Sequence, residues 1–260
     1  MTSMAVPTDF ESLARLLACS GFVAAEDEAE ELLAGAAGNV GLLETNVERR
    51  LTGEPLAWIT GGVTFCGLEI RVDPGVYVPR RQTEPLARRA VELLPATGTA
   101  IDLCTGSGAI AKTLTAARPD ARVVGSDIEE RAAACAAANG VEVYRGDLFA
   151  PLPGTLQGHV DVIVGVVPYV PTHALALLQR DTLAFETTSS YEGGDEGTEI
   201  LRRVLTDSRG FLCSGGQLLL ELGGEQADAL ADDLIRFGYL DVDVIVDDEG
   251  DARGIEATLR

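Results

Sequence analysis

The sequence predicts an α/β chain: a doubly wound, seven-stranded, mostly parallel sheet, preceded by a small N-terminal helical domain and a β-hairpin connection. Three observations predict it. After Pro79, strand-like and helix-like runs alternate to the C-terminus. An apolar run at 99–103 passes through closely spaced glycines directly into a helical pattern. Residues 9 to about 52, by contrast, carry leucines at helical spacing with no strand pattern.

The N-terminal part reads as three helices. Leu13, Leu16 and Leu17, then Leu32 and Leu33, then Leu42, Leu43, Val47 and Leu51 form the apolar faces, with stops at Gly21 and at Gly35–Gly38. Glu26, Asp27, Glu28, Glu30 and Glu31 read as a solvated helix face. Next, Ile59-Thr60-Gly61-Gly62-Val63 and Phe65-Cys66-Gly67-Leu68-Glu69-Ile70 read as two short strands with a glycine-rich turn. The alternating part predicts helices near 83–94, 108–117, 128–138, 197–209 and 225–237. Strands are expected near 99–103, 122–126, 141–145, 160–165, 216–221, 240–246 and 254–259. The last two, separated by Asp247-Asp248-Glu249-Gly250-Asp251, read as an antiparallel hairpin at the sheet edge. That acidic run lacks the ligand spacing of an EF-hand loop and reads as a solvated turn. The implied division is 1–54 helical recognition domain, 55–78 hairpin linker and 79–260 catalytic domain.

Composition narrows the function. The 260 residues include 41 acidic and 20 basic ones, for a formal charge of −21. Such a field repels phosphate backbones and anionic lipid, so no direct nucleic-acid or membrane binding is expected. Hydrophobic residues make up 46%, enough for a packed core. Five scattered cysteines without a C-x-x-C pair, and two histidines, argue against a zinc site or a disulfide framework and for a reducing cytoplasm. No metal is expected. No apolar run reaches the roughly 18 residues of a membrane span, and no signal peptide is evident. The chain is expected to be soluble and cytoplasmic.

The strongest chemical signal is Asp102-Leu103-Cys104-Thr105-Gly106-Ser107-Gly108-Ala109-Ile110-Ala111. Glycines between a strand and a helix permit a sharp turn and let a ligand approach the backbone N–H groups of the helix N-terminus. Asp127 ends the next strand 21 residues after Gly106, where a carboxylate accepts ribose hydroxyl hydrogens. A dinucleotide site is the first reading of such a loop. Three features favour S-adenosylmethionine instead of NAD. Asp102 precedes the loop, suited to an ammonium group and ill suited to a pyrophosphate. Asp147 closes the third strand, where it can accept from an adenine amino group. Val167-Pro168-Tyr169-Val170-Pro171 follows the fourth strand, at the carboxyl edge where such sheets bind ligands. Asp102 and Asp147 also suit turn or helix caps.

From about Gly53 to the C-terminus the chain resembles the HemK-like protein glutamine methyltransferases, class I S-adenosylmethionine-dependent enzymes of Rossmann-like fold. The resemblance rests on Gly53-Glu54-Pro55-Leu56-Ala57-Trp58-Ile59-Thr60-Gly61 and Val78-Pro79-Arg80-Arg81-Gln82-Thr83-Glu84. The glycine loop, Ser126-Asp127-Ile128, Gly146-Asp147-Leu148-Phe149 and Gly193-Gly194-Asp195-Glu196-Gly197 also match. So do Gly215-Gly216-Gln217-Leu218-Leu219-Leu220-Glu221 and Gly250-Asp251-Ala252-Arg253. It implies a cofactor site of Asp102, Cys104, Thr105, Gly106, Ser107, Gly108, Asp127, Asp147 and Leu148. It also implies a protein substrate such as a peptide-chain release factor, engaged in part by the helical domain. Cys104 stands where that family usually has glycine, tolerable where the backbone keeps negative φ.

One departure touches the chemistry. The family's Asn-Pro-Pro-Tyr is here Val166-Val167-Pro168-Tyr169. The resemblance makes Val166 to Tyr169 substrate-binding, and Val167, Pro168 and Tyr169 the catalytic segment. The family's asparagine accepts one hydrogen of the glutamine amide and the next residue's carbonyl accepts the other. Val166 has no acceptor, so only the Val167 carbonyl remains, and one lost interaction costs about 1–3 kcal/mol. Tyr169 reads as a wall for a planar acceptor or as a core aromatic. His173 reads as a candidate base or as a surface residue. Besides glutamine methylation, two further readings follow: methylation of a small-molecule or more nucleophilic acceptor, and a catalytically silent cofactor-binding interaction protein. An NAD-dependent reductase is the outlying reading.

Overall fold

A computed structural model describes residues 6–178, 184–223, 226–247 and 249–260. The chain forms two compact units. One runs to Gly62 and takes in Phe185; the other comprises Val63–Leu178 and Glu186–Arg260.

The first unit contains α1 (Phe10–Cys19), α2 (Ala25–Ala36), α3 (Val40–Leu51) and the short α4 (Leu56–Thr60). Leu13, Leu17, Ala29, Leu32 and Val47 are fully buried in one cluster, the apolar faces that the leucine spacing predicts. Asp9 and Asn39 cap α1 and α3 by accepting from the backbone N–H of Ser12 and Leu42. The buried Arg50 forms two hydrogen bonds with Glu28 at 2.6 and 3.0 Å and lies 3.9 Å over the Phe22 ring. Part of the acidic run therefore neutralises a buried guanidinium rather than only facing water.

Residues 59–61, expected in a strand, are helical or helix-terminating instead. Pro55 starts α4, and Gly61 ends it in the left-handed region at φ +90°. Buried Ala57 and Trp58 hold that turn in place. The hairpin consists of β1 (Gly62–Phe65) and β2 (Leu68–Arg71). Its turn is Cys66–Gly67, both at positive φ, as a tight two-residue turn requires.

In the second unit the strands are β3 (Thr99–Leu103), β4 (Arg122–Asp127), β5 (Glu142–Arg145), β6 (Val160–Gly165), β7 (Leu212–Glu221), β8 (Tyr239–Val246) and β9 (Ala252–Leu259). The helices are α5 (Glu84–Leu93), α6 (Ala109–Ala117), α7 (Glu130–Ala138), α8 (Glu199–Asp207) and α9 (Gln226–Arg236). The sheet order is β5-β4-β3-β6-β7-β9-β8, parallel as far as β7 and antiparallel at β9 and β8. The expected terminal hairpin thus forms, with β8 at the edge. β7 begins at Leu212, earlier than the apolar run at 216, across an irregularity opposite Val160 and Val162. Asp248 of the acidic turn and residue 225 of the predicted helix lie outside the described residues.

The order reverses at β3, which lies between β4 and β6. Leu103 is level with both Ser126 and Gly165. The segments after β3, β4 and β6 therefore emerge at one edge, the crevice where open α/β sheets take ligands. β3 and β6 are almost wholly buried, which is why they read as continuous apolar runs.

Candidate functional site: two loops at the carboxyl edge

The glycine loop is built around two aspartates. Asp102, at the end of β3, is 1% exposed, and its Oδ2 accepts from the Thr105 hydroxyl at 2.6 Å and the Ala111 N–H at 3.0 Å. The side chain thus closes the loop from beneath, as a cap for α6. Burial pushes its carboxyl up to about 7, against the lowering effect of those two hydrogen bonds, and the charge of Asp127 adds to the rise. Asp127 accepts from the Gly106 N–H at 2.8 Å through Oδ2 and from the Glu129 N–H at 2.9 Å through Oδ1. Burial raises this carboxyl as well, while those two N–H groups pull it down.

The two glycines do different work. A Cβ on Gly106 would meet nothing closer than the Cys104 carbonyl at 4.0 Å, so the space beside it is open. A Cβ on Gly108 would lie 2.8 Å from Val141 Cγ2 and 3.2 Å from Ala136, so this glycine lets α6 pack closely. Ser107 Oγ and Ser126 Oγ are buried without a hydrogen-bond partner. An open approach at Gly106, two unmatched hydroxyls and a carboxylate with spare acceptor capacity fit a polar nucleoside-bearing ligand.

Cys104 overturns the condition set for it. Its φ is +53°, in the left-handed region, where a side chain is disfavoured by about 1–2 kcal/mol. The side chain packs against the main core, which offsets part of that strain. Burial and the nearby aspartates push its thiol well above the usual range, so it is not a reactive thiolate. Asp147 is half-exposed and forms an ion pair with Arg203 on α8 at 2.5 Å. Leu148 is buried at positive φ.

The acceptor-side segment follows β6. Val166 is half-buried and Val167 is buried. The Val167 carbonyl accepts no hydrogen bond among the described residues. Tyr169 donates its phenol to Glu221 Oε1 at 2.9 Å, and its carbonyl accepts from Gln226 Nε2 at 2.7 Å. Burial foremost, and Glu221 next, hold this phenol neutral far above its ordinary range. Val170 is bridged to the 191–193 stretch: its N–H donates to the Tyr191 carbonyl, and its carbonyl accepts from the Gly193 N–H. Gly193 and Gly197 permit this approach; a Cβ on Gly197 would lie 2.2 Å from the Tyr169 carbonyl. His173 is exposed on the 3-10 turn Thr172–Leu177.

The Pro79-Arg80-Arg81-Gln82-Thr83-Glu84 run acts as scaffolding for that segment. Arg80 pairs with Glu186 at 2.6 Å and donates to the Tyr191 hydroxyl at 3.0 Å. The other oxygen of Glu186 accepts from the Val78 N–H. Thr83 donates to Glu221 Oε2 at 2.6 Å, and Glu84 accepts from the Cys66 N–H in the hairpin turn. Glu186, Tyr191, Glu221 and Gln226 had no role in the site expected from sequence. Of these, Glu221 alone carried a sequence signal, as the final residue of a matched run.

No protein-family model matches the chain. A release factor glutamine methyltransferase of Geobacter sulfurreducens is 34% identical over 210 residues, 78% of this chain and 73% of that protein. The Escherichia coli K12 protein of the same name is 34% identical over 213 residues, 79% and 76% of the two chains. Among solved structures, the hMettl16 catalytic domain in complex with an RNA hairpin matches with a TM-score of 0.58. That match covers 83% of this chain and 82% of the other at 14% identity, a likeness of fold. At 34% identity over most of both sequences, and with a glycine loop and aspartate at the switch point of this sheet, the chain belongs to the release factor glutamine methyltransferase family.

Proposed function

We propose that the protein transfers a methyl group from S-adenosylmethionine to a glutamine side chain of a peptide-chain release factor. The observation that carries the reading is the identity to release factor glutamine methyltransferases across about three quarters of their length. The site supports it. Asp127 would accept ribose hydroxyls, and the Ser107 backbone N–H would be offered beside the open face of Gly106, since those of Thr105, Gly106 and Gly108 donate to the Ser126 carbonyl, to Asp127 and to the Thr105 carbonyl. Asp102 would serve the cofactor by fixing the loop, since its Oδ2 is committed to Thr105 and Ala111. Cys104 would line the site with its backbone. Asp147 and Leu148 would bound the adenine side, where Arg203 competes for the Asp147 carboxylate.

S-adenosylmethionine, when bound, supplies an electrophilic methyl group on a sulfonium. An amide nitrogen is a weak nucleophile, so alignment and stabilisation of its developing charge are what the protein must provide. The Val167 carbonyl would accept one amide hydrogen, and Tyr169 would wall the acceptor. In the domain assignment we favour, residues 1–54 recognise the protein substrate, 55–78 connect, and 79–260 carry the chemistry. Among the described residues no helix is long and apolar enough to cross a membrane.

Val166 favours a second reading. An apolar side chain in place of an acceptor suits a nucleophile that needs no second hydrogen bond, or a protein that binds cofactor without turnover. Mass spectrometry of an intact release factor, incubated with enzyme and S-adenosylmethionine, tests both. Methylglutamine supports the first reading. Its absence, with S-adenosylhomocysteine still bound in calorimetry, supports the second.

A further inference from the structure

We infer that Glu221 is a positioning residue for methyl transfer, which sets the orientation of Tyr169 against the acceptor; the inference rests on the reaction proposed above. Glu221 ends β7 and is 2% exposed. Its two oxygens are divided between two hydroxyls, Tyr169 at 2.9 Å and Thr83 at 2.6 Å. Burial raises its carboxyl, while the side chains of Thr83, Tyr169 and Gln82, and then the charge of Arg253, act in the other direction. A core glutamate is a costly way to fill space, and a leucine would pack there without desolvating a charge. What a carboxylate adds is directional: each oxygen takes one donor, in bonds about twice as strong as between neutral groups.

Val167 and Tyr169 also pack against the main core, but among the described residues the other hydrogen bonds that fix the segment are made by its backbone. Gln226 grips the Tyr169 carbonyl, and Tyr191 and Gly193 grip Val170. No other side-chain bond reaches the ring of Tyr169 among the described residues. The Val167 carbonyl, the one remaining acceptor for an incoming amide, lies two residues upstream. Tilting the Tyr169 ring moves the aromatic wall and strains the short link to that carbonyl. Thr83 completes the arrangement, because its hydroxyl fixes the second oxygen of Glu221 and so its plane.

Glu221→Gln keeps the shape and replaces the charge-assisted bond by a neutral one. The full-length variant should bind S-adenosylhomocysteine like the unaltered chain. Its kcat for a release-factor acceptor should fall about tenfold with KM little changed, one hydrogen bond's worth of alignment. In the Tyr169→Phe background the same substitution should cost little more, because the two act as one unit. A reading independent of turnover uses protein labelled with carbon-13 at tyrosine Cζ. The sequence has five tyrosines, and Tyr169→Phe identifies the line of that residue. Glu221→Gln and Thr83→Val should each move the Tyr169 resonance while that of Tyr144 stays in place. An unmoved Tyr169 resonance in both variants, or a kcat loss that adds in full to Tyr169→Phe, overturns the inference. Should the unaltered chain bind no S-adenosylhomocysteine, the proposed reaction fails, and the resonances still decide whether Glu221 orients Tyr169.

Discussion

The two loops at the carboxyl edge of the sheet are held in opposite ways. The glycine loop is fixed from within: Asp102 reaches Thr105 and Ala111, and Asp127 reaches Gly106 and Glu129, all across the β3–α6 and β4–α7 turns. The 166–171 segment is fixed from outside, by Glu221, Gln226, Tyr191 and Gly193, with Thr83 and Arg80 behind them. The first arrangement is carried by two adjacent strand–turn–helix units, each braced by the aspartate near the end of its own strand. The second depends on distant side chains and is therefore the part free to diverge, as the Val166-Val167 pair illustrates.

The largest expected effect tests the internal bracing. Asp102 has its carboxyl raised from 3.8 to about 7 in the folded protein, so the native state holds its proton more tightly than the unfolded chain. Its contribution to stability is full below about pH 4 and is lost as pH rises toward 7, up to about 4 kcal/mol by linkage. Urea melts of the unaltered protein and Asp102→Asn across this range should show the difference between them shifting in favour of the variant as pH rises. A constant difference would show that Asp102 titrates normally.

Next in size is the ligand side of the same loop. Asp127→Ala should weaken S-adenosylhomocysteine binding by about 1.5–3 kcal/mol, the cost of losing a charged acceptor. Calorimetry giving unchanged affinity in a folded variant would remove Asp127 from the site.

The acceptor side sharpens the contrast. Val166→Asn with Val167→Pro restores an acceptor and sets the local φ near −65°. Glutamine methylation of a release factor should rise at least about tenfold. Robust methylation by the unaltered protein, read by mass spectrometry, would instead show that Val166 is no handicap. The smallest effect concerns Cys104. Relief of its left-handed strain in Cys104→Gly should add about 1 kcal/mol, less whatever is lost in chain entropy and packing. A lower midpoint in thermal melts would mean that its packing outweighs the strain.

Legibility followed the same division. The helix and strand runs after Pro79 appear close to where their periodicity places them, and the glycine loop has the strand and helix it requires. Residues 59–61 misled, because Ile59-Thr60 has strand-forming side chains while Pro55 and Gly61 delimit a helical turn that includes buried Trp58. Cys104 misled too, since nothing in its neighbours reveals a positive φ. The roles of Glu186, Tyr191 and Gln226 were invisible, their partners lying far off in the chain or in an unremarkable loop.

By itself the sequence determined the alternation of strands and helices, the loop at the first turn of the sheet and the carboxylate after the second strand. These are local choices, made by side-chain periodicity, glycine φ and the reach of a short turn. Tertiary structure alone decided that Arg203 occupies Asp147, and that Thr83, Glu221 and Gln226 converge on Tyr169. Such contacts join strands and loops that are neighbours only once the sheet order is made, and no spacing along the chain encodes them.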